Sequence, residues 1–245
     1  MMEFRLICEG QTDHAVIKNI LFGYFSDPDL IIKALQPDTD ESNEKSLKPK
    51  HENTPESFGN WYKVFDYCSS DRFFRAFDDK NVFIVIQIDT DCAHDKKYNV
   101  TTTDAQGKKL SALEIVNNVQ QKFENLFVEK FGIDFLNNNQ HRILYAISVD
   151  EIECWLLPLH YADNTKAAVT NCLFKLNQQL AKDNEKTIPR GKEGSVSIYR
   201  KISKPYMKNK VLMDKYHQNP SFKIFIENEL QTKIPLIDKE NTASV

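Results

Sequence analysis

The chain has 245 residues, of which 41% are hydrophobic and 27% charged, and its formal net charge at pH 7 is -3. This composition is typical of a soluble globular protein, and the length suits one large domain or a domain with a helical appendage. No stretch approaches the roughly 18 apolar residues that a membrane helix needs, and the strand-like residues 1–4 do not resemble a signal peptide. We therefore expect a cytoplasmic protein with no membrane span.

The cysteines predict reduced thiols. Their number is odd and no two of them have Cys-x-x-Cys spacing, which argues against both a disulfide framework and a zinc site. The five are Cys8, Cys68, Cys92, Cys154 and Cys172.

The chain begins with a strand pattern followed by a helix pattern. Residues 3–8 have the pattern of a short strand that ends at the Glu9-Gly10 turn, and the apolar positions in residues 15–24 recur near the 3.6-residue period of a helix. Thr12 or Asp13 is a natural cap for that helix. The two patterns together predict a strand that leads directly into a helix.

A polar stretch and two aromatic segments come next. Residues 36–57 are rich in Asp, Glu, Lys, Asn and Pro and predict a long, mobile loop. Helical segments follow at residues 61–67 and 72–77. Their aromatic side chains could stack nucleobases, but their spacing fits a buried helix face better. These aromatics are Trp61, Tyr62, Phe65, Phe73, Phe74 and Phe77.

The apolar run at residues 82–88 is the clearest strand pattern in the chain. It is apolar at every position except Gln87, which suits a central parallel strand that is covered on both faces. A long amphipathic helix at about residues 112–131 and a further strand at residues 143–149 follow. From about residue 163 onward the pattern contains only helix and loop.

This order of elements predicts the fold class. Strands that alternate with helices indicate an α/β fold with a parallel-sheet core flanked by helices. We place this domain at residues 1–157, and we expect residues 158–245 to be a helical C-terminal extension packed on the core. Trp155, on an Ile/Leu-rich helix start, is expected to be a core residue.

Carboxylates follow three of the predicted strands. They are Glu9 after the first strand, Asp89 and Asp91 after the second, and Asp150, Glu151 and Glu153 after the third. Sites in open parallel sheets form at the carboxyl ends of the strands, so these residues can converge into one acidic pocket. Carboxylates buried together repel, and a hard divalent cation relieves that repulsion. Oxygen ligands favour Mg²⁺ or Mn²⁺ over zinc, and one or two such ions can activate a water against a phosphodiester.

Each acidic group also has a purely structural interpretation. An Asp-x-Asp after a strand is often a polar strand exit or a helix cap, and Glu9 could be a turn residue. Glu151 and Glu153 could be acids of a first helical turn, where the helix dipole favours them. The conjunction of three acidic strand ends favours the metal site.

Several motifs resemble those of Toprim domains. Residues 6–13, Leu-Ile-Cys-Glu-Gly-Gln-Thr-Asp, resemble the glutamate motif in the Glu-Gly-x-x-Asp form of the OLD-type (overcoming lysogenization defect) nucleases. Residues 85–91 resemble the second Toprim motif, a hydrophobic strand with Asp-x-Asp. Residues 151–157, Glu-Ile-Glu-Cys-Trp-Leu-Leu, are similar to a signature of small stand-alone Toprim-like proteins. Residues 199–201 and 220–225 are similar to the C-terminal end of that group.

The resemblance implies a Toprim-like core and a role for each acidic residue. Glu9 would be catalytic as a metal ligand or general base, and Lys201 would neutralise charge on the phosphate. Cys92 and Ala93 follow the Asp-x-Asp pair, so the longer Asp-x-Asp-x-Asp form of the motif is incomplete and the number of ions stays open. The implied metal ligands are Glu9, Asp13, Asp89, Asp91, Glu151 and Glu153.

These features predict a Mg²⁺- or Mn²⁺-dependent nuclease that hydrolyses DNA or RNA. Residues 185–215 hold nine Lys/Arg and three Asp/Glu, which suits a polyanion, although a solvated helix face gives the same pattern. The resemblance also implies an effector of an anti-phage defence system. Because the chain has no Gly-x-x-x-x-Gly-Lys-Ser/Thr loop, a separate ATPase would supply any nucleotide-driven regulation.

Two other functions remain open at this point. A strand that ends in Asp-x-Asp also begins haloacid-dehalogenase-like phosphatases, although Ala93 stands where those enzymes usually carry Thr or Val. The chain could also be a non-catalytic Toprim module that binds a nucleic acid or a partner protein. The histidines His14, His94 and His141 are assigned no specific role.

Overall fold

The computed structural model describes residues 2–37, 61–189, 192 and 194–234. Its centre is a sheet of four strands: β1 (Glu3–Ile7), β2 (Ile31–Gln36), β3 (Val82–Asp89) and β4 (Ile143–Ser148). The strands are all parallel and lie in the order β2-β1-β3-β4. The predicted α/β class with a parallel core is confirmed.

Helices account for most of the remaining described chain. They are α1 (Gln11–Phe25), α2 (Trp61–Cys68), α3 (Asp71–Arg75), α4 (Ala112–Phe131), α5 (Ile133–Asn139), α6 (Leu157–His160), α7 (Cys172–Lys182), α8 (Val196–Ser203), α9 (Asn209–Lys215), α10 (Pro220–Ile224) and the π-helix Phe225–Gln231. Short 3-10 helices include Ile152–Trp155 and Lys204–Met207. The bounds of α4 agree with the predicted residues 112–131. No helix in the described part of the chain is long and apolar enough to cross a membrane.

Helix α1 begins earlier than the sequence suggests, so the prediction of Thr12 or Asp13 as its cap is wrong. Gly10 is the N-cap, in an extended conformation, and Asp13 lies inside the first turn. A Cβ atom on Gly10 would lie 3.0 Å from Oδ2 of Asp13. The missing side chain therefore leaves room for that carboxylate, which the positive end of the helix dipole favours.

Strand β2 is absent from the predicted elements. It lies at one edge of the sheet, where its side chains are only partly buried and Lys33 is exposed. An edge strand of six residues with a charge in its middle has no clear apolar periodicity. The predicted loop 36–57 overlaps β2 at Gln36, and residues 38–57 lie outside the described residues.

The sheet is covered on both faces, as the apolar run in β3 predicts. One apolar cluster joins the sheet to α1 and the C-terminal helices, and the other joins it to α2, α3, α4 and α5. Alternate residues of β3 enter different clusters, with Val85 on the α1 face and Ile86 on the opposite face. Most predicted core aromatics are at least partly buried, but Phe74 is 49% exposed.

The C-terminal helices close the outer edge of β4. The backbone N–H of Tyr145 donates to Oε2 of Glu229 at 2.9 Å, and that of Val149 donates to Oγ of Ser221 at 3.2 Å. Ser221 Oγ also accepts from the indole N–H of Trp155 at 2.9 Å. Trp155 is fully buried and is a core residue, as expected.

Helix α1 lies beside the run from α8 to α9, and the two run in the same direction. The side-chain amide of Asn19 donates to the carbonyl of Arg200 at 3.2 Å and to Oγ of Ser203 at 2.7 Å. Further along, the amide of Asn209 donates to the carbonyl of Gly23 at 2.9 Å. A Cβ atom on Gly23 would lie 1.8 Å from the carbonyl oxygen of Tyr206, so glycine permits this close approach.

The prediction that all cysteines are reduced is wrong for one pair. Cys154 and Cys172 form a disulfide with a Cα–Cα distance of 5.0 Å, whereas Cys8, Cys68 and Cys92 are free. An odd number of cysteines does not exclude one bonded pair. The fold brings the 3-10 helix Ile152–Trp155 to the start of α7, and sequence spacing gives no sign of that contact.

Candidate functional site

The first part of the site is a hydrogen-bonded link between β1 and β3. The side-chain amide of Gln87 donates to Oδ1 of Asp89 at 2.9 Å, and its oxygen accepts from the backbone N–H of Glu9 at 3.2 Å. The backbone N–H of Asp89 donates to Oε1 of Glu9 at 2.7 Å. Because Gln87 and Asp89 are two residues apart on one strand, both face α1. This link fixes the Glu9 and Asp89 carboxylates side by side.

Two further carboxylates, from elements next to β1 and β4, lie near Glu9 and Asp89. Asp13 is buried in the first turn of α1, and the hydroxyl of Thr12 donates to its Oδ2 at 3.3 Å. Glu153 is fully buried on the 3-10 helix that follows β4, and its Oε1 lies 2.8 Å from Nζ of Lys192. The Tyr199 hydroxyl donates to the same Glu153 oxygen. We call Glu9, Asp13, Asp89, Glu153 and Lys192 the acidic pocket.

Electrostatic effects indicate that these carboxylates interact. Burial and the neighbouring Asp13 raise the pKa of Glu9 to about 8. Burial also raises the pKa of Asp13 to about 6, against the opposing effect of Lys192. Burial and the Glu9 charge raise the pKa of Asp89 well above its ordinary value. Glu9, Asp13 and Asp89 thus share a space in which the simultaneous ionisation of all three is unfavourable.

Lys192 supplies the positive charge of the pocket. Burial disfavours its charged form, but Glu153, Asp89 and Asp13 outweigh burial and raise the pKa of Lys192 above its ordinary value. Burial and Glu153 likewise raise the pKa of Tyr199, so its hydroxyl stays a neutral donor. Counting only residues that the structure describes, the pocket holds one ammonium group and four carboxylates, and is short of positive charge.

The remaining predicted ligands lie at the rim. Asp91 is exposed, and its backbone N–H donates to the carbonyl of Asp150 at 3.0 Å. Glu151 accepts from the backbone N–H of Leu173 at 2.5 Å, and burial together with Glu153 raises the pKa of Glu151 to about 7. Asp91 is close enough to raise the pKa of Glu9, after the larger effects of burial and Asp13.

Lys201 does not contact the pocket carboxylates. Its side chain is 65% exposed and pairs with Glu185. It lies two residues from Tyr199 on α8, and a helix turns those two side chains away from each other. The lysine in contact with the acidic residues is Lys192, while the role assigned to Lys201 stays a prediction.

The acidic pocket offers oxygen atoms, which are the ligands that a hard cation such as Mg²⁺ prefers. Oδ1 of Asp13 and Oε2 of Glu153 are buried and have no hydrogen-bond partner among the described residues. The same holds for Oγ of Ser148, which is opposite Asp89 in the β3–β4 register. Buried oxygens without partners cost free energy, and a cation would satisfy them.

The pocket carboxylates are near one another without forming a tight ligand set. In the described part of the chain, the one group of three residues whose ligand atoms all lie within 4.8 Å of one another is Asp150, Cys154 and Cys172. Its two sulfurs are bonded to each other, so they offer no thiolate. Since Mg²⁺ binds oxygen at about 2.1 Å, the pocket carboxylates would close around an ion or bind it through water.

Three residues of the site are missing from the sequence-predicted set. Gln87 is a polar residue within an apolar strand, two positions before Asp89. That unusual position was the one sign in the sequence that Gln87 belongs to the site. Tyr199 lies in the 199–201 motif that resembles Toprim-like proteins, but the distance in sequence between Tyr199 and Glu153 gives no sign of their contact. Lys192 stands between Gly191 and Gly194 in the sequence, and no sequence pattern connects it to the strand ends.

Comparison of the chain with protein-family models, with curated proteins and with solved structures finds no match in any of the three. What the acidic pocket does therefore has to be inferred from its own residues.

Proposed function

We propose that the acidic pocket binds Mg²⁺ or Mn²⁺ and hydrolyses phosphodiester bonds in a nucleic acid, as a Toprim-type nuclease would. The observation that supports this most strongly is the convergence of four carboxylates from three strand ends, with two of their buried oxygens unpartnered within the described part of the chain. Buried carboxylates without compensating charge are costly, so a protein retains them where they bind a cation or perform chemistry.

Asp13, Asp89 and Glu153 are the residues that would hold the ion. Asp13 and Glu153 each contribute a buried oxygen that has no partner among the residues the structure describes, and the side-chain amide of Gln87 fixes Asp89 through a hydrogen bond of 2.9 Å. A bound ion would lower the pKa of a water molecule and stabilise the leaving oxygen. The oxygen-only donor set is the reason to propose Mg²⁺ or Mn²⁺ rather than zinc.

Glu9 is the candidate proton acceptor. Its pKa of about 8 allows it to exchange a proton near neutral pH, and it is less buried than the other pocket carboxylates. The hydrogen bond from the Asp89 N–H at 2.7 Å fixes its orientation. Lys192 is a second candidate for the part that the resemblance assigns to Lys201, because its ammonium group lies among the carboxylates and can neutralise charge on a phosphate.

Two broader roles follow from the motif resemblance. The protein would be an effector nuclease of an anti-phage defence system, and a separate ATPase would regulate it. Both belong to the proposal, and the cleavage experiment tests the chemistry on which they depend.

The test is cleavage of plasmid DNA and of total RNA by the purified protein with Mg²⁺, with Mn²⁺ and with EDTA. We expect metal-dependent products from at least one polymer, and a loss of at least about 100-fold in Glu9→Ala and Asp89→Asn. Glu129→Gln, which changes an exposed carboxylate on α4, is the matched control and should cleave like the wild type.

A chromogenic phosphate monoester distinguishes the phosphatase alternative. Hydrolysis of the monoester without cleavage of either polymer would favour a haloacid-dehalogenase-like reaction. Equal cleavage by the wild type and Asp89→Asn would contradict the proposed site.

A further inference from the structure

Two segments of the chain that contribute to the acidic pocket also carry positive charge, and neither segment contains an acidic residue beyond the pocket's own. Residues 14–25 on α1 and residues 194–213, which include α8, contain no Asp or Glu. The second of these segments also holds most of the basic residues of the stretch 185–215. Four exposed cations on these two segments are Lys18, Arg200, Lys204 and Lys208, which we call the basic ridge.

The packing of α1 against α8 brings the part of α1 that carries Lys18 next to Arg200. Asn19, next to Lys18, donates to the carbonyl of Arg200 at 3.2 Å and to Oγ of Ser203 at 2.7 Å. Arg200 and Lys204 are four residues apart and so share one side of the helix. The ridge therefore extends across both elements.

None of the four ridge cations forms an ion pair with a carboxylate in the described residues. The neighbouring Lys201 differs, because Glu185 neutralises it. Like charges left unpaired on one surface repel one another, and a bound polyanion removes that repulsion. The charge pattern thus fits an anionic partner better than an ordinary mixed surface.

Both segments of the ridge also contribute to the acidic pocket. Helix α1 carries Asp13 five residues before Lys18, which is about 7.5 Å along a helix. Helix α8 carries Tyr199, which donates to Glu153, immediately before Arg200. Phosphates of one strand are spaced about 3.4 Å apart along a duplex axis, so Lys18 is about two phosphate spacings from Asp13 along the axis of α1, on a different side of that helix.

We infer that the basic ridge binds the phosphodiester backbone of the nucleic acid on one side of the bond that the acidic pocket cleaves. The inference rests on the proposed function for its choice of substrate. The binding itself needs no metal and no cleavage. The ridge binds phosphates and so holds the strand in register without reading its sequence.

The test measures binding of a fluorescently labelled DNA or RNA of about 20 nucleotides by anisotropy in EDTA, between about 50 and 200 mM salt. The ridge variant is Lys18→Gln with Arg200→Gln. Loss of two phosphate contacts should weaken binding about tenfold at the lower salt and reduce the slope of log K against log salt by about 1.5. Both residues are exposed, and circular dichroism confirms that the variant is folded.

The matched control is Arg75→Gln with Lys80→Gln. This pair is also exposed, but it precedes β3 and lies toward the amino end of the strand, away from the pocket. The control should bind within twofold of the wild type. Charge reversal by Lys204→Glu with Lys208→Glu is a second, independent variant and should weaken binding at least as much.

Unchanged affinity and salt dependence in both ridge variants would overturn the inference, and so would a wild type that binds neither polymer. Polyglutamate that competes as well as the oligonucleotide, charge for charge, would assign the ridge to an acidic protein and also overturn it. Failure of the proposed function is a different result, in which ridge-dependent binding persists but no metal-dependent cleavage occurs.

Discussion

Replacement of Glu9 by Gln should stabilise the metal-free protein at pH 8. Oε1 of Glu9 accepts the backbone N–H of Asp89 at 2.7 Å, and a glutamine oxygen can accept the same bond. The change therefore removes a charge and keeps the hydrogen bond. Burial and the nearby Asp13 raise the pKa of Glu9 from 4.5 to about 8.

The sign of the pH dependence follows from that shift. A folded-state pKa above the unfolded value means that the folded protein binds more protons between those two pH values, so Glu9 lowers stability as pH rises from about 4.5 to about 8. At about 1.36 kcal/mol for each pH unit, the full difference corresponds to about 5 kcal/mol. Solvent screening at the partly exposed Glu9 reduces this, and we expect Glu9→Gln to exceed the wild type in stability by about 1–3 kcal/mol at pH 8.

The assay is urea unfolding in EDTA between about pH 5 and pH 8. The wild type should lose stability over that range, and Glu9→Gln should lose less. Glu129→Gln, whose side chain is 70% exposed on α4, should follow the wild type. A Glu9→Gln variant that is no more stable than the wild type at pH 8, with an unchanged pH slope, would refute the idea that Glu9 is a strained carboxylate of the pocket.

Three further changes test other parts of the structure by urea unfolding. Lys192→Met should lower the free energy of unfolding by about 3 kcal/mol, because it leaves the buried Glu153 without its ion pair. Lys201→Met, on the exposed surface, should lower it by less than about 0.5 kcal/mol. Similar losses in the two variants would contradict the placement of Lys192 in the pocket. Reduction of the disulfide, which joins residues 18 apart in sequence, should cost about 3 kcal/mol and raise the count of reactive thiols in denaturant from three to five. Gly23→Ala should cost about 3 kcal/mol, since its Cβ atom would lie 1.8 Å from the Tyr206 carbonyl; a neutral effect would argue against that close packing.

The sheet was predictable wherever burial leaves a strong pattern. The strand β3 is apolar because both of its faces are covered, and its end is visible because Asp89 stops the apolar run. Strand β2 has one partner strand and partly exposed side chains, so it leaves a weak pattern. The helix α4 was predictable because its apolar positions recur regularly and Ser111 caps its start.

The acidic half of the site was predictable for a topological reason, since parallel strands end at the same edge of a sheet. Its other half depends on long-range packing. Lys192 reaches Glu153 from 39 positions away, through a loop whose course no local pattern specifies. The disulfide was missed for the same reason, because only the folded chain brings α7 against the 3-10 helix that carries Cys154.

The most direct test of the central claim is a titration with Mn²⁺, followed by electron paramagnetic resonance of the free ion. The wild type should bind one or two ions, and Asp13→Asn with Asp89→Asn should bind at least about tenfold more weakly, because both changes remove charge from the pocket. A control with Glu129→Gln and Asp134→Asn removes two exposed charges from α4 and α5 and should bind like the wild type. Equal Mn²⁺ affinity in the pocket variant and the wild type would contradict the assignment of the acidic pocket as a metal site.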